Sequence, residues 1–169
     1  MPSKPVKIKV RRARLQDKPS VMLMLRKTNH FRPNELKVAE EVFDDSIAKG
    51  QKGDYHSFVA QEKDNTIGWV CFGPTPCTIG TFDVYWIVVN PQNQNCGVGS
   101  FLMQYATSFI KKRNGRVIVV DTSGSQRYLL VRRFYKKMGY CKAARLRDFY
   151  ANGDDKIIYV KYIERGRSS

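Results

Sequence analysis

The stretch Val88-Val89-Asn90-Pro91-Gln92-Asn93-Gln94-Asn95-Cys96-Gly97-Val98-Gly99 joins an apolar strand to an amphipathic helix. Glycines at 97 and 99 let backbone N–H groups approach a ligand closely. Those N–H groups and the helix dipole together make an anion site, and a phosphate or pyrophosphate is its natural occupant. A dinucleotide-binding turn is the rival reading. That fingerprint needs a third glycine, where Leu102 stands, and an immediate turn after the strand, where Pro91 opens a six-residue lead-in. Only Asp121, at the end of the following strand, favours the rival. Cys96 stands at the helix start, where a thiolate would be stabilised. No His or other base lies beside it in sequence, so it reads as a tolerated loop position rather than a nucleophile.

Working outward, the residues upstream alternate and then turn helical. Val6, Ile8 and Val10 alternate with Lys7, Lys9 and Arg11, a strand with one wet face. Asp17 is placed to N-cap a helix burying Val21, Met24, Leu25 and Thr28. Asn34 is placed to cap a second, with Leu36, Ala39, Val42, Phe43 and Ile47 on one stripe and Gly50 after its end. Strands follow over 55–61, 67–72 and 81–89, and connections this short favour antiparallel neighbours. The helix over 97–113 carries Phe101, Leu102, Tyr105, Ala106, Phe109 and Ile110 on its apolar side. Val117–Val120 reads as a strand covered on both faces. A helix over 125–138 buries Leu130, Val131, Phe134 and Met138. Strands over 141–147 and 156–163 close the chain around the turn Asn152-Gly153-Asp154. The predicted order is β-α-α-β-β-β-α-β-α-β-β. It forms a mixed, mostly antiparallel α/β sheet flanked by helices, a single domain with one βαβ crossover at the quoted loop.

Composition narrows the function. The 169 residues suit one domain, and 42% hydrophobic with 12% aromatic residues suffices for a core. No apolar run reaches a membrane span, and residues 1–5 lead into a strand with no signal-peptide core. Four cysteines without CxxC spacing fit a reduced, cytoplasmic setting. Two His residues make zinc improbable, and no metal is expected. There is no GxSxG elbow for a serine hydrolase. The net charge of +15 is uneven: residues 101–169 hold 16 basic and 5 acidic groups, while residues 51–100 hold 2 and 4. A basic excess of that size points to a polyanionic ligand or to nucleic acid.

The run from Val84 to Gly99, with Gln94-x-x-Gly97-x-Gly99, resembles the acetyl-CoA loop of the GNAT superfamily of N-acetyltransferases. The later Arg133-Phe134-Tyr135-Lys136-Lys137-Met138-Gly139-Tyr140 is similar to that family's second signature. The helix–strand–helix spacing between the two matches, and so does the element order. The resemblance therefore implies a GNAT-like domain over residues 6–163, with residues 1–5 and 164–169 as flexible ends. It implies acetyl-CoA as donor and a homodimer as an assembly state. Ile87, Val88 and Val89 would hydrogen-bond the pantetheine arm through their backbone. Gln94, Asn95, Cys96, Gly97, Val98, Gly99 and Ser100 would wrap the pyrophosphate. Tyr128 occupies the place of an Asn that touches the cofactor in many relatives, and Tyr135 the place of a hydroxyl beside the thioester sulfur.

Those roles suit acetyl transfer to an amine through a tetrahedral intermediate that expels a thiolate. The leaving sulfur needs a proton donor that is protonated at neutral pH, as a tyrosine is. The amine must lose a proton, and the candidate bases are Asp83 and Asp121 on strands four and five. The acidic and aromatic hairpin with Asp148, Tyr150, Asp154 and Asp155 is expected to gather negative charge and draw a cationic amine. Pro74-Thr75-Pro76 is a candidate wall on the acceptor side. The acceptor is then a small cationic amine, a protein N-terminus or a lysine. A non-catalytic nucleic-acid or ribosome-associated module on the same fold is the alternative that the charge keeps open.

Overall fold

The structure, a computed structural model, describes residues 7–164. Val6, the other first residues and the tail from Arg165 onward lie outside the described residues. The elements run in the predicted order: β1 (Ile8–Arg12), α1 (Lys18–Lys27), α2 (Pro33–Lys49), β2 (His56–Glu62), β3 (Asn65–Pro74), β4 (Thr81–Val89), α3 (Val98–Lys112), β5 (Val117–Ser123), α4 (Leu129–Lys137), β6 (Cys141–Ala151) and β7 (Asp154–Tyr162). Seven strands form a mostly antiparallel sheet in the order β1-β2-β3-β4-β5-β7-β6. β4 and β5 pair in parallel, because α3 supplies the long crossover a parallel pair needs. Among the described residues, no helix is long and apolar enough to cross a membrane.

The described residues group into two compact units. The first comprises residues 7–72 and 86–106. His56–Ala60 and Ile67–Phe72 are buried without a break, the signature of strands covered on both faces. Val21, Met24 and Leu25 of α1 and Ala39 and Phe43 of α2 pack with Val59, Trp69, Cys71 and Val88. The Trp69 indole N–H donates to Ser57 Oγ at 2.6 Å, so the largest buried ring keeps no orphan donor. On α3 the buried row is Val98, Leu102, Met103, Ala106 and Ile110. Phe101 and Tyr105, expected inside, form a wetter neighbouring row. Tyr105 nonetheless packs on Phe58, ring centroids 4.7 Å apart.

Two expected caps are replaced. Asp17 precedes α1 but makes no capping bond. Its carboxylate instead accepts both guanidinium arms of Arg11 (2.8 and 2.9 Å), the Thr66 hydroxyl (2.7 Å) and the Arg14 N–H (2.8 Å). Burial pushes the Asp17 carboxyl up, yet these donors outweigh it and hold it below the usual carboxylate range. At α2 the cap position is Arg32, whose N–H donates to Glu35 Oε2 at 2.6 Å, and Asn34 lies inside the first turn. Pro at the first helical position moves the start forward.

The second unit comprises residues 73–85 and 107–164. Its strands are the first half of β4, β5, β7 and the edge strand β6, with β7 between β5 and β6. β5, β6 and β7 each differ from their expected limits. β6 reaches Ala151, bending at Asp148 (φ 53°), and turns at Asn152-Gly153. α4 is preceded by a 3₁₀ turn, Gln126–Tyr128. Tyr135 is its buried residue, while Leu130 is 74% exposed. The two lie five positions apart, about 140° around the helix, so a face centred on Tyr135 turns Leu130 outward.

Candidate active site

The quoted loop lies in the first unit. Asn90 starts it, donating its N–H to Ile67 O at 2.9 Å while its side chain accepts from the Gln92 N–H at 3.2 Å. A 3₁₀ turn over Pro91–Asn93 follows. The chain then takes positive φ at Asn95 (62°) and Gly97 (82°), and Gln94–Gly97 are exposed. Val98 is 1% exposed and anchors the start of α3. Phe101 N–H donates to Gly97 O at 3.0 Å. The N–H groups of Val98, Gly99 and Ser100 come before that first turn closes, so no helix carbonyl serves them. A Cβ built on Gly97 meets nothing within 4 Å. The loop therefore offers the N–H-rich, positive end of a fifteen-residue helix and empty space beside an unsubstituted backbone. These features fit the pyrophosphate of a coenzyme.

On β4, Val88 is buried and Ile87 and Val89 are half-buried. The registered pairs of β4 with β5 run from Thr81↔Val117 to Val84↔Val120.

The remaining predicted residues belong to the second unit. Tyr135 is 5% exposed and its ring meets Phe134 at 5.6 Å, Tyr140 at 5.8 Å and Tyr159 at 6.0 Å. Burial pushes its phenol well above the ordinary tyrosine range, with smaller contributions from Asp121 and Tyr150. It is thus a neutral hydroxyl at any physiological pH. Tyr128 closes the 3₁₀ turn ahead of α4 and is half-buried.

The two candidate bases are both engaged. Asp83 accepts the Thr75 hydroxyl at 2.6 Å. Asp121 pairs with Lys156 at 2.6 Å. Register puts them on one face: Asp83 opposes Val119, two residues before Asp121. Tyr159, whose ring meets that of Tyr135, opposes Val120 and so lies on the other face.

The expected acidic mouth does not form. Asp155 bonds Arg145 and accepts the Asp148 N–H, which hold its carboxyl below the usual range. Asp148 accepts the Gly153 N–H at 2.7 Å, and Asp154 accepts from Ser123. Lys156 stands over the Phe149 ring at 4.6 Å and also neutralises Asp121. The acids of this hairpin serve its turn and strand pairing rather than a shared field. Sequence reading missed Lys156 and Thr75 as partners, because neither lies near its aspartate in the chain; only strand register reveals Lys156. It also missed Gly68, whose lack of a side chain seats α3. Its strand-interior glycine was the available signal. Among the described residues, no three His, Cys, Asp or Glu side chains gather closely enough to hold a metal ion.

Comparison with known proteins gives the family and the fold. The family model described as an acetyltransferase (GNAT) domain matches residues 53–142. The crystal structure of a GNAT-family protein from Desulfovibrio desulfuricans is 39% identical. It superposes with a TM-score of 0.88 over 92% of this chain and 99% of that one. An N-alpha-acetyltransferase 30 of Schizosaccharomyces pombe is 28% identical over 108 residues, 63% of this chain and 71% of the relative. An aminoglycoside 6'-N-acetyltransferase crystallised with coenzyme A shares the fold at 16% identity. Its TM-score is 0.74, over 94% of this chain and 99% of that one.

Proposed function

The chain belongs to the GNAT family of acetyltransferases, and from that membership we propose that it moves the acetyl group of acetyl-CoA to a primary amine, the α-amine of a polypeptide N-terminus. We take residues 6–163 as the transferase domain. The observation that supports the donor is the loop at Gly97, with its open side, its positive φ and the N-terminus of α3 directly after it. The backbone of Val98, Gly99 and Ser100 would hold the pyrophosphate, and that of Ile87, Val88 and Val89 would align the pantetheine. When bound, the coenzyme supplies an activated thioester. The Tyr135 hydroxyl, kept neutral by burial, would be the proton donor to the sulfur as the C–S bond breaks, and the proton that the nitrogen sheds as the C–N bond forms would restore it.

The acceptor follows from the state of the carboxylates. Asp83 and Asp121 are engaged by Thr75 and Lys156, so each already has a partner for its carboxylate. An α-amine with a pKa near 8 is neutral in roughly one molecule in ten at pH 7. A lysine side chain is neutral in fewer than about one in a thousand. A site whose candidate carboxylates are already engaged suits the former. The 28% identical relative, named as an N-alpha-acetyltransferase, supports the same choice.

A thiol-release assay with acetyl-CoA tests this reading. Three acceptors are compared: peptides with free N-termini, the same peptides N-terminally blocked but containing lysine, and polyamines. Free N-termini should lead by tenfold or more. Equal turnover of blocked peptides or polyamines overturns the acceptor assignment, and no turnover with any amine overturns the transferase reading.

A further inference from the structure

The basic excess of residues 101–169 exceeds what one coenzyme needs, and four of its sixteen cations line one place outside the loop. A cavity of about 240 Å³ in the second unit is lined by Arg132 and Lys136 of α4 and by Lys142 and Arg145 of β6. Its floor holds Asp155, Ile157 and Tyr159, all buried. Arg132 is held at the rim by Ser123 O (2.8 Å) and Ser125 O (2.7 Å), and Arg145 by Asp155. That carboxylate is the only acid in the lining, and Arg145 and the Asp148 N–H already engage it. Among the described residues, neither Lys136 nor Lys142 has an ion-pair partner.

Four cations around one neutralised acid are costly to gather. Two pinned guanidinium groups also cannot turn away from each other to relieve the repulsion. We propose that this cavity is a phosphate-binding site, separate from the coenzyme loop, in which Lys136 and Lys142 contact the phosphate oxygens and Arg132 and Arg145 frame the field. The chemistry is that of a phosphate group, carried either by a small phosphorylated molecule or by a nucleic-acid backbone. The edge position of β6 and the absence of any acid in α4 leave a basic approach on which a longer polyanion would extend. The site does not depend on acetyl transfer.

The test uses the full chain with coenzyme A in saturating amount, so that its own loop is filled. Inorganic pyrophosphate is titrated by calorimetry and a labelled single-stranded RNA decamer by anisotropy. The double variant Lys136→Gln/Lys142→Gln should weaken binding about tenfold or more. For RNA it should also flatten the slope of log affinity against log salt by about 1–1.5. Lys111→Gln/Lys112→Gln, which removes equal charge from the end of α3, should stay within about twofold of the parent. Pyrophosphate binding lost in the cavity variant supports the site with a small phosphorylated ligand. RNA binding alone, lost in that variant, supports it with a nucleic-acid backbone. Binding of neither probe, or equal losses in both double variants, overturns the proposal.

Discussion

Gly68 lies against Leu102: a Cβ on that glycine would stand 2.9 Å from Leu102 Cδ1, with Val98 Cγ1 at 3.0 Å and Val88 O at 3.3 Å. The first turns of α3 thus rest on bare β3 backbone, and this contact sets the height of the loop that precedes the helix. Replacing Gly68 with valine should force α3 outward, because Leu102 is fully buried and the Val88 carbonyl on the third side is backbone. We expect a loss of about 1–3 kcal/mol, read as a lower melting temperature, together with weaker coenzyme A binding. Unchanged affinity alongside the lower melting temperature would show that the loop does not depend on this seat.

Gly97 presents the opposite situation, with φ at 82° and open space where a side chain would project. Gly97→Val should cost about 1–2 kcal/mol from the left-handed backbone alone. It should also reduce coenzyme A affinity tenfold or more by filling the cradle. Calorimetry on the folded variant separates the two effects. Strain without loss of affinity would mean that the coenzyme does not approach this backbone.

Tyr135→Phe keeps the ring contacts with Tyr140 and Tyr159 and removes the hydroxyl. Turnover should fall by roughly 10²–10⁴, with coenzyme A affinity nearly unchanged. Burial raises the Tyr135 pKa, so the acid form persists as pH rises through 10, the ordinary tyrosine value. The parent's rate should accordingly show no falling limb assignable to this residue below about pH 10. Such a limb at lower pH, absent from the phenylalanine variant, would contradict a buried acid.

Asp17 ties β1 to β3 through Arg11 and Thr66. Its folded-state pKa is depressed, so its contribution is complete above the unfolded value near 3.9. That contribution is lost as pH falls from there through the folded value. Asp17→Asn should destabilise by about 1–3 kcal/mol at pH 7. The gap between variant and parent should close toward pH 2–3. Urea unfolding at both pH values checks this, and a gap of equal size at low pH would remove Asp17 from the acid response.

The order of elements was legible because each depends on local repetition, alternation for strands and a turn-sized period for helices. The anion loop was legible for a related reason. The donors proposed for it are consecutive backbone N–H groups, so Gly97, Gly99 and the helix after them lie within a few residues of one another. The acceptor side was not. Asp121 meets Lys156 thirty-five positions away, and Asp155 is claimed by Arg145 across a strand pair whose register shifts. No local pattern encodes either partner.

Sequence alone determined the eleven elements, the crossover at β4–α3–β5 and the tyrosine after Phe134, since backbone propensity and spacing act along the chain. Tertiary structure decided which side chains are left to act. Pairing register with a period of two assigned Asp83 and Asp121 to one face and Tyr159 to the other. The insertion of β7 between β5 and β6 brought Lys156 to Asp121. The turn of α4 that buried Tyr135 put Leu130 in water. A charge or a hydroxyl acquires its chemistry from what surrounds it in space, and those neighbours are fixed only when the strands pair.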